Sequence, residues 1–165
     1  MSTEISQFIT FKLGNELFAI PVDQVREVLE LSIITSVPTA RPYMRGVVNV
    51  RGRAIPVVDL KLRFGLPAAP DTLNTRIIVL ELFLDGETAV LGGVADSVHE
   101  VVEIDPASVD PPPRIATRWR AEFIKGMCSR GNDFIVMLDV NAVFNTDESG
   151  LVVGAAVESP ETVAV

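Results

Sequence analysis

The chain has one cysteine and one histidine in 165 residues. With Cys128 alone, no internal disulfide framework can form, and a small buried thiol in a reducing compartment is the expected state. His99 has no second His or Cys at metal-ligand spacing. A Gly-rich phosphate loop of the Walker type is absent. Ser97 lies near His99, but a nucleophile needs an oriented base and an oxyanion site, and neither is signalled. Catalysis therefore finds little support, and no cofactor is expected. Aromatics make up 6% of residues and the net charge is −8, which disfavours nucleic acid as a partner. Long apolar runs are also missing: Ile77–Leu84 is interrupted by Glu81 and followed by Asp85, so no membrane insertion is expected. The opening Met1–Ser6 has neither a basic start nor an apolar signal core, and a cytoplasmic location is expected.

What the chain does have is aliphatic residues in short runs, broken by Gly and Pro. Hydrophobic residues make up 48%, mostly Val, Ile and Leu, which suits strands in small barrels or sandwiches. One stretch occurs twice. Tyr43–Phe64 aligns without a gap on Phe123–Phe144, with Gly46 on Gly126, Ile55 on Ile135, Asp59 on Asp139 and Phe64 on Phe144. Upstream, Val25–Glu30 matches Val98–Glu103 with Val, Glu, Val and Glu in register. One β-rich unit used twice is the reading, with halves at roughly 6–66 and 76–146. The first strand segments are free to cross between the halves. Within the repeated stretch, Asn49-Val50-Arg51-Gly52 is a turn between two strands, and Gly52 supplies a positive φ. Pro56 places its strand at an edge or a bulge. Asp59 and Asp139 close their strands and are expected to cap the turn that follows.

The remaining segments follow the same logic. Phe8–Leu13 and Glu16–Ile20 form a hairpin across Gly14-Asn15, and Arg76–Leu84 with Thr88–Leu91 form another. Val22–Leu31 is read as a short turn and then a strand from about Val25, with Val25 and Glu27 on one face. Leu60–Phe64 reads as a short helix. Gly65–Asn74, with Pro67 and Pro70, is a linker. Pro111–Pro113 cannot be helical, and Trp119 beyond it is expected to cover the core. The tail 147–165 is acidic, and a terminal helix and a mobile extension both remain open for it. Charge is uneven. Arg41–Arg63 carries six bases and one acid, while Ile77–Pro113 carries eight acids and no Lys or Arg. Such a split serves ordinary solvated surface or pairing inside the molecule on one reading, and a head-to-tail contact between related molecules on the other.

The turn Asn49–Gly52 followed by Ala54–Leu60 resembles the Asn-Leu-Arg-Gly…Pro-Val-Ile-Asp-Leu signature of the CheW-like family of bacterial chemotaxis coupling proteins. The likeness runs over roughly residues 6–146. It implies an all-β fold with short helices, as two pseudo-symmetric SH3-like five-stranded β-barrels in a single domain. It also implies a non-catalytic scaffold that joins chemoreceptors to the histidine kinase CheA, whose regulatory domain shares the fold. Kinase and coupling protein would alternate in rings at membrane receptor arrays, with further CheW copies as possible ring members. The receptor tip, a helical hairpin, would dock between the halves. The family's receptor-contact positions fall on Val25, Glu27, Arg51 and Val98, and Asn49 in the turn is counted with them as receptor-binding. An Arg51–Glu27 ion pair is expected, and Gly46, Gly52 and Asp59 have structural turn roles. The sequence departs from the family pattern at Val50, where Leu is commoner, and its second copy has Gly131 in place of Arg51. A paralogue serving another pathway, such as pilus motility, would share these features.

Overall fold

The computed structural model describes residues 6–38, 41–84, 86–111 and 121–144. Asp85, Pro112 and Pro113, Trp119 and the acidic tail lie outside the described residues, so the expectations for them stand as sequence readings. Among the described residues the strands are β1 (Ser6–Leu13), β2 (Glu16–Pro21), β3 (Val25–Glu30), β4 (Met44–Val50), β5 (Arg53–Asp59), β6 (Arg76–Leu84), β7 (Glu87–Ala95), β8 (Ser97–Ile104), β9 (Val109–Asp110), β10 (Ile124–Arg130) and β11 (Asp133–Leu138). Two short helices, α1 (Leu60–Arg63) and α2 (Val140–Phe144), follow β5 and β11.

The strands form two sheets. One has the order β3-β6-β7-β5-β4, and the other β8-β1-β2-β11-β10-β9. The fold is the expected pair of similar β-rich units. The second unit has a sixth strand, β9, only two residues long. Its counterpart in the first unit is a single antiparallel bridge, Thr35 to Val47. The units exchange hairpins. The opening hairpin β1–β2 completes the sheet of the second half, and β6–β7 completes that of the first. The joins are parallel, β5 with β7 and β11 with β2.

Strand periodicity explains where the apolar residues go. Alternate residues of a strand point to opposite faces. Ile77 and Val79 of β6 enter the interior of the first unit, while Ile78, Leu80 and Leu82 enter a cluster shared by both units. Likewise Ile135 and Met137 of β11 fill the second interior, while Val136 and Leu138 join the shared cluster. Both faces of these strands are dry, so their sequences read as continuous apolar runs. The core is thus two unit interiors and a shared layer between them, rather than one undivided mass. The shared layer carries an aromatic row, Phe11–Phe18–Phe64–Phe123, with ring centroids 5.9, 5.5 and 5.5 Å apart along it.

The repeat is exact enough to reproduce irregularities. A register shift in the β4–β5 ladder lies between Met44 and Gly46, and one in β10–β11 between Ile124 and Gly126. These bulges fall at the matched residues Arg45 and Lys125. Both glycines are tightly enclosed. A Cβ on Gly46 would overlap the Thr35 carbonyl oxygen, and one on Gly126 would lie 2.7 Å from that of Asp110. The caps repeat as well. Leu62 N donates to Asp59 Oδ1 and Ala142 N to Asp139 Oδ1, each at 3.2 Å.

Candidate functional site

Arg51 and Gly52 form the two-residue turn between β4 and β5, with φ of 53° and 83°. Two consecutive positive φ values match the right-handed twist of a tight hairpin, which is why Asn-Gly and Gly-Gly pairs usually occupy it. Arg51 is the only non-glycine with positive φ among the described residues. Its repeat partner, Gly131, takes φ 61° at the same place without a Cβ to resist. Asn49 clasps the turn from inside: Gly52 N donates to Asn49 Oδ1 at 2.9 Å. The guanidinium of Arg51 pairs with the Glu27 carboxylate on β3. Arg51 is 76% exposed and Glu27 21%. That hydrogen bond first, and the carboxylate's charge second, raise the Arg51 pKa.

The pair sits at the rim of a groove of about 170 Å³. The floor is apolar, from Ile55, Val79 and Val90, and the rim adds Arg26 and Arg53. Arg26 also reaches Glu81 at 3.4 Å. Three guanidinium groups against Glu27 and Glu81 leave this rim with one basic charge in excess. Arg26 and Arg53 were not among the residues picked out from sequence. Only their proximity to Glu27 and Arg51 in the chain could have pointed to them.

Val25 and Glu27 do not share a face, contrary to the sequence expectation. The β3–β6 ladder shifts register between them: Val25 lies opposite Leu80, and Glu27 opposite Val79. Directly opposed residues project to the same side of a sheet. Val25 therefore joins Leu80 against the shared cluster, and Glu27 joins Val79 at the groove. One extra residue in β3, Arg26, reverses the alternation. Val98 opposes Phe11 in β8–β1 and also packs, half-buried, on the shared cluster. Phe11 and Leu80 line one small apolar cavity there, so Val25 and Val98 approach the shared layer from the two different sheets. The structure brings together Glu27, Asn49 and Arg51 at one end of the first unit, and sets Val25 and Val98 apart from them on the layer between units.

Other candidates resolve simply. His99 is exposed on β8, with its Nε2 2.9 Å from Ser97 Oγ. Some of the uneven charge is used inside the molecule, since Lys61 pairs with Asp96 at 3.1 Å across the two halves. Among the described residues no group of His, Cys, Asp and Glu could hold a metal ion, and no helix is long and apolar enough to cross a membrane.

A family model described as a CheW-like domain matches residues 7–148. The chain belongs to the CheW-like family. A "Chemotaxis protein CheW" from Bacillus subtilis is 30% identical over 90% of this chain and 95% of its own length. One from Treponema pallidum is 29% identical over 90% and 87%. "Protein PilI" from Pseudomonas aeruginosa is 32% identical over 78% of this chain and 70% of its own. Among solved structures, the scaffolding protein TtCheW from Thermoanaerobacter tengcongensis superposes with a TM-score of 0.77 at 31% identity, covering 87% of this chain and 90% of that one. The CheW-like assignment agrees with the two-sheet β fold and its short helices.

Proposed function

We propose that this CheW-like protein is a non-catalytic scaffold that couples chemoreceptors to a CheA-type histidine kinase at the cytoplasmic face of receptor arrays. One observation carries the reading. Arg51 is held in a backbone conformation that its repeat partner assigns to glycine, and its guanidinium is fixed by Glu27 over a basic-rimmed groove. A side chain kept at a strained position in only one of two copies supports a role outside folding. The receptor tip, a helical hairpin, is gripped by Val25 and Val98 where the two units meet. Arg51 and Glu27 set its register from the end of the first unit. The kinase's regulatory domain, and further copies of this chain, meet the outer ends in rings. Asn49 serves the site by holding the turn.

The test is capture of a soluble receptor-tip fragment and activation of the kinase in receptor arrays. Arg51→Gly suits the backbone and should fold as well as the parent, yet lose most receptor capture. Unchanged capture by Arg51→Gly, or kinase activation without this protein, would refute the reading. The similarity to PilI supports a second reading, the same coupling mechanism in a pilus-motility pathway. Complementation of a swarming defect against a twitching defect separates the two.

A further inference from the structure

The repeat relates Tyr43 to Phe123, Arg63 to Val143 and Phe64 to Phe144. These residues meet around one point. The Arg63 guanidinium carbon lies 4.7 Å from the Tyr43 ring centroid and 4.9 Å from that of Phe123. Its Nε donates to the Val143 carbonyl oxygen at 2.8 Å. Arg63 is thus inserted between two rings that the repeat makes equivalent, and it bonds the backbone of its own repeat partner. The pseudo-twofold axis between the units passes beside this side chain. Backbone bonds around it are paired in the same way, Asp59 N to Tyr43 O at 2.7 Å and Asp139 N to Phe123 O at 2.8 Å. Arg63 itself is 8% exposed and has no cationic counterpart, because Val143 stands in its place.

We infer that Arg63 is the positioning residue that fixes the angle between the two β units. Apolar contacts in the shared layer are non-directional and tolerate a small rotation of one unit on the other. The planar guanidinium is directional. It must lie across both ring faces while its Nε points along the bond to Val143. It thereby ties α1 of the first unit to the backbone of α2 in the second. Tyr43 holds the guanidinium from within the first unit, and tilting or sliding the second unit on the first would break the contacts to Phe123 and Val143 together. The hairpin exchange keeps the units joined, but the angle at which they are joined depends on this side chain. The consequence for receptor capture rests on the proposed function, whereas the pin itself does not.

The experiment measures distances between spin labels on the full chain by double electron–electron resonance. Labels go on Thr88→Cys in β7 and Ser129→Cys in β10, both exposed and on different sheets, with Cys128→Ala removing the native thiol. The parent should give one narrow distance peak. Arg63→Met fills the same space without the directional contacts, so the protein should stay folded and the peak should broaden at least twofold or shift. A folded Arg63→Met with the parent's peak overturns the inference. If that variant does not fold, Arg63→Lys decides. It keeps the charge, but its ammonium cannot lie flat across both rings, so its peak should broaden; an unchanged peak overturns the inference. Arg51→Gly is the control for the proposed function. It should lose receptor capture while leaving the peak untouched, so failure of the pin and failure of the receptor reading are told apart.

Discussion

Phe64→Ala probes the shared layer most directly. Phe64 is 1% exposed and touches Phe18 of β2 edge-on, with centroids 5.5 Å apart, and Phe123 at the same distance. Removing a fully buried phenyl ring loses its transfer energy and leaves a cavity, together about 3–5 kcal/mol. A domain of this size holds roughly 5–15 kcal/mol in all, so the variant remains folded at low temperature with much of its reserve gone. At about 2–4 °C per kcal/mol for such a chain, Tm should fall by about 6–20 °C. Phe144 occupies the matched position on α2 and is equally buried, so Phe144→Ala should cost a similar amount. Urea denaturation followed by far-ultraviolet circular dichroism gives the free energy. The hairpin exchange adds a second expectation. Neither sheet is complete without strands from the other half of the chain, so both variants should still unfold in one transition. A cost under about 1 kcal/mol for Phe64→Ala, or two separate transitions, would refute the shared-layer reasoning.

Two further substitutions test the repeated turns. Gly46→Ala places a Cβ at φ 139° into the Thr35 carbonyl and should cost at least about 2 kcal/mol. Gly14→Ala, at φ 63° with open space around it, should cost only about 1 kcal/mol; equal costs by urea melts would mean the Thr35 approach is not tight. Asp59→Ala and Asp139→Ala each remove a helix cap and should each lower stability by about 1 kcal/mol in the same assay. A difference of more than twofold between the pair would show that the caps are not equivalent.

Much of the fold could be read from the chain because the duplication is visible in it. Gly46 and Gly126, Asp59 and Asp139, and Phe64 and Phe144 do the same work twice, and steric demand leaves little choice of residue at each. The Arg51–Glu27 pair was also legible, through the turn's likeness to a family signature. The bulge at Arg26 was not. A single extra residue in a strand alters the facing of its neighbours without altering their composition, so Val25 and Glu27 read as companions until the ladder register separates them. That the first strand segments could cross between the halves was open from the sequence, but the exchange of both hairpins was hidden for a related reason. Ile9, Phe11 and Leu13 would alternate identically in either sheet, because local pattern records burial and not which partner supplies it. Arg51's positive φ was obscured by its residue type, and only the alignment with Gly131 hinted at it.

Exchanged hairpins set an order for synthesis. The five-stranded sheet has all its strands once Ala95 has emerged, but β2 waits for β11, whose Ile135 pairs with Leu17 more than a hundred residues away. At about 5–20 residues per second, the β1–β2 hairpin stands unpartnered on one edge for roughly 6–24 s during synthesis. Its edge is apolar, with Phe18, Ala19 and Ile20 all destined for burial. The newborn β1–β2 hairpin, rather than any part of the finished molecule, is therefore where this chain most needs a chaperone's protection.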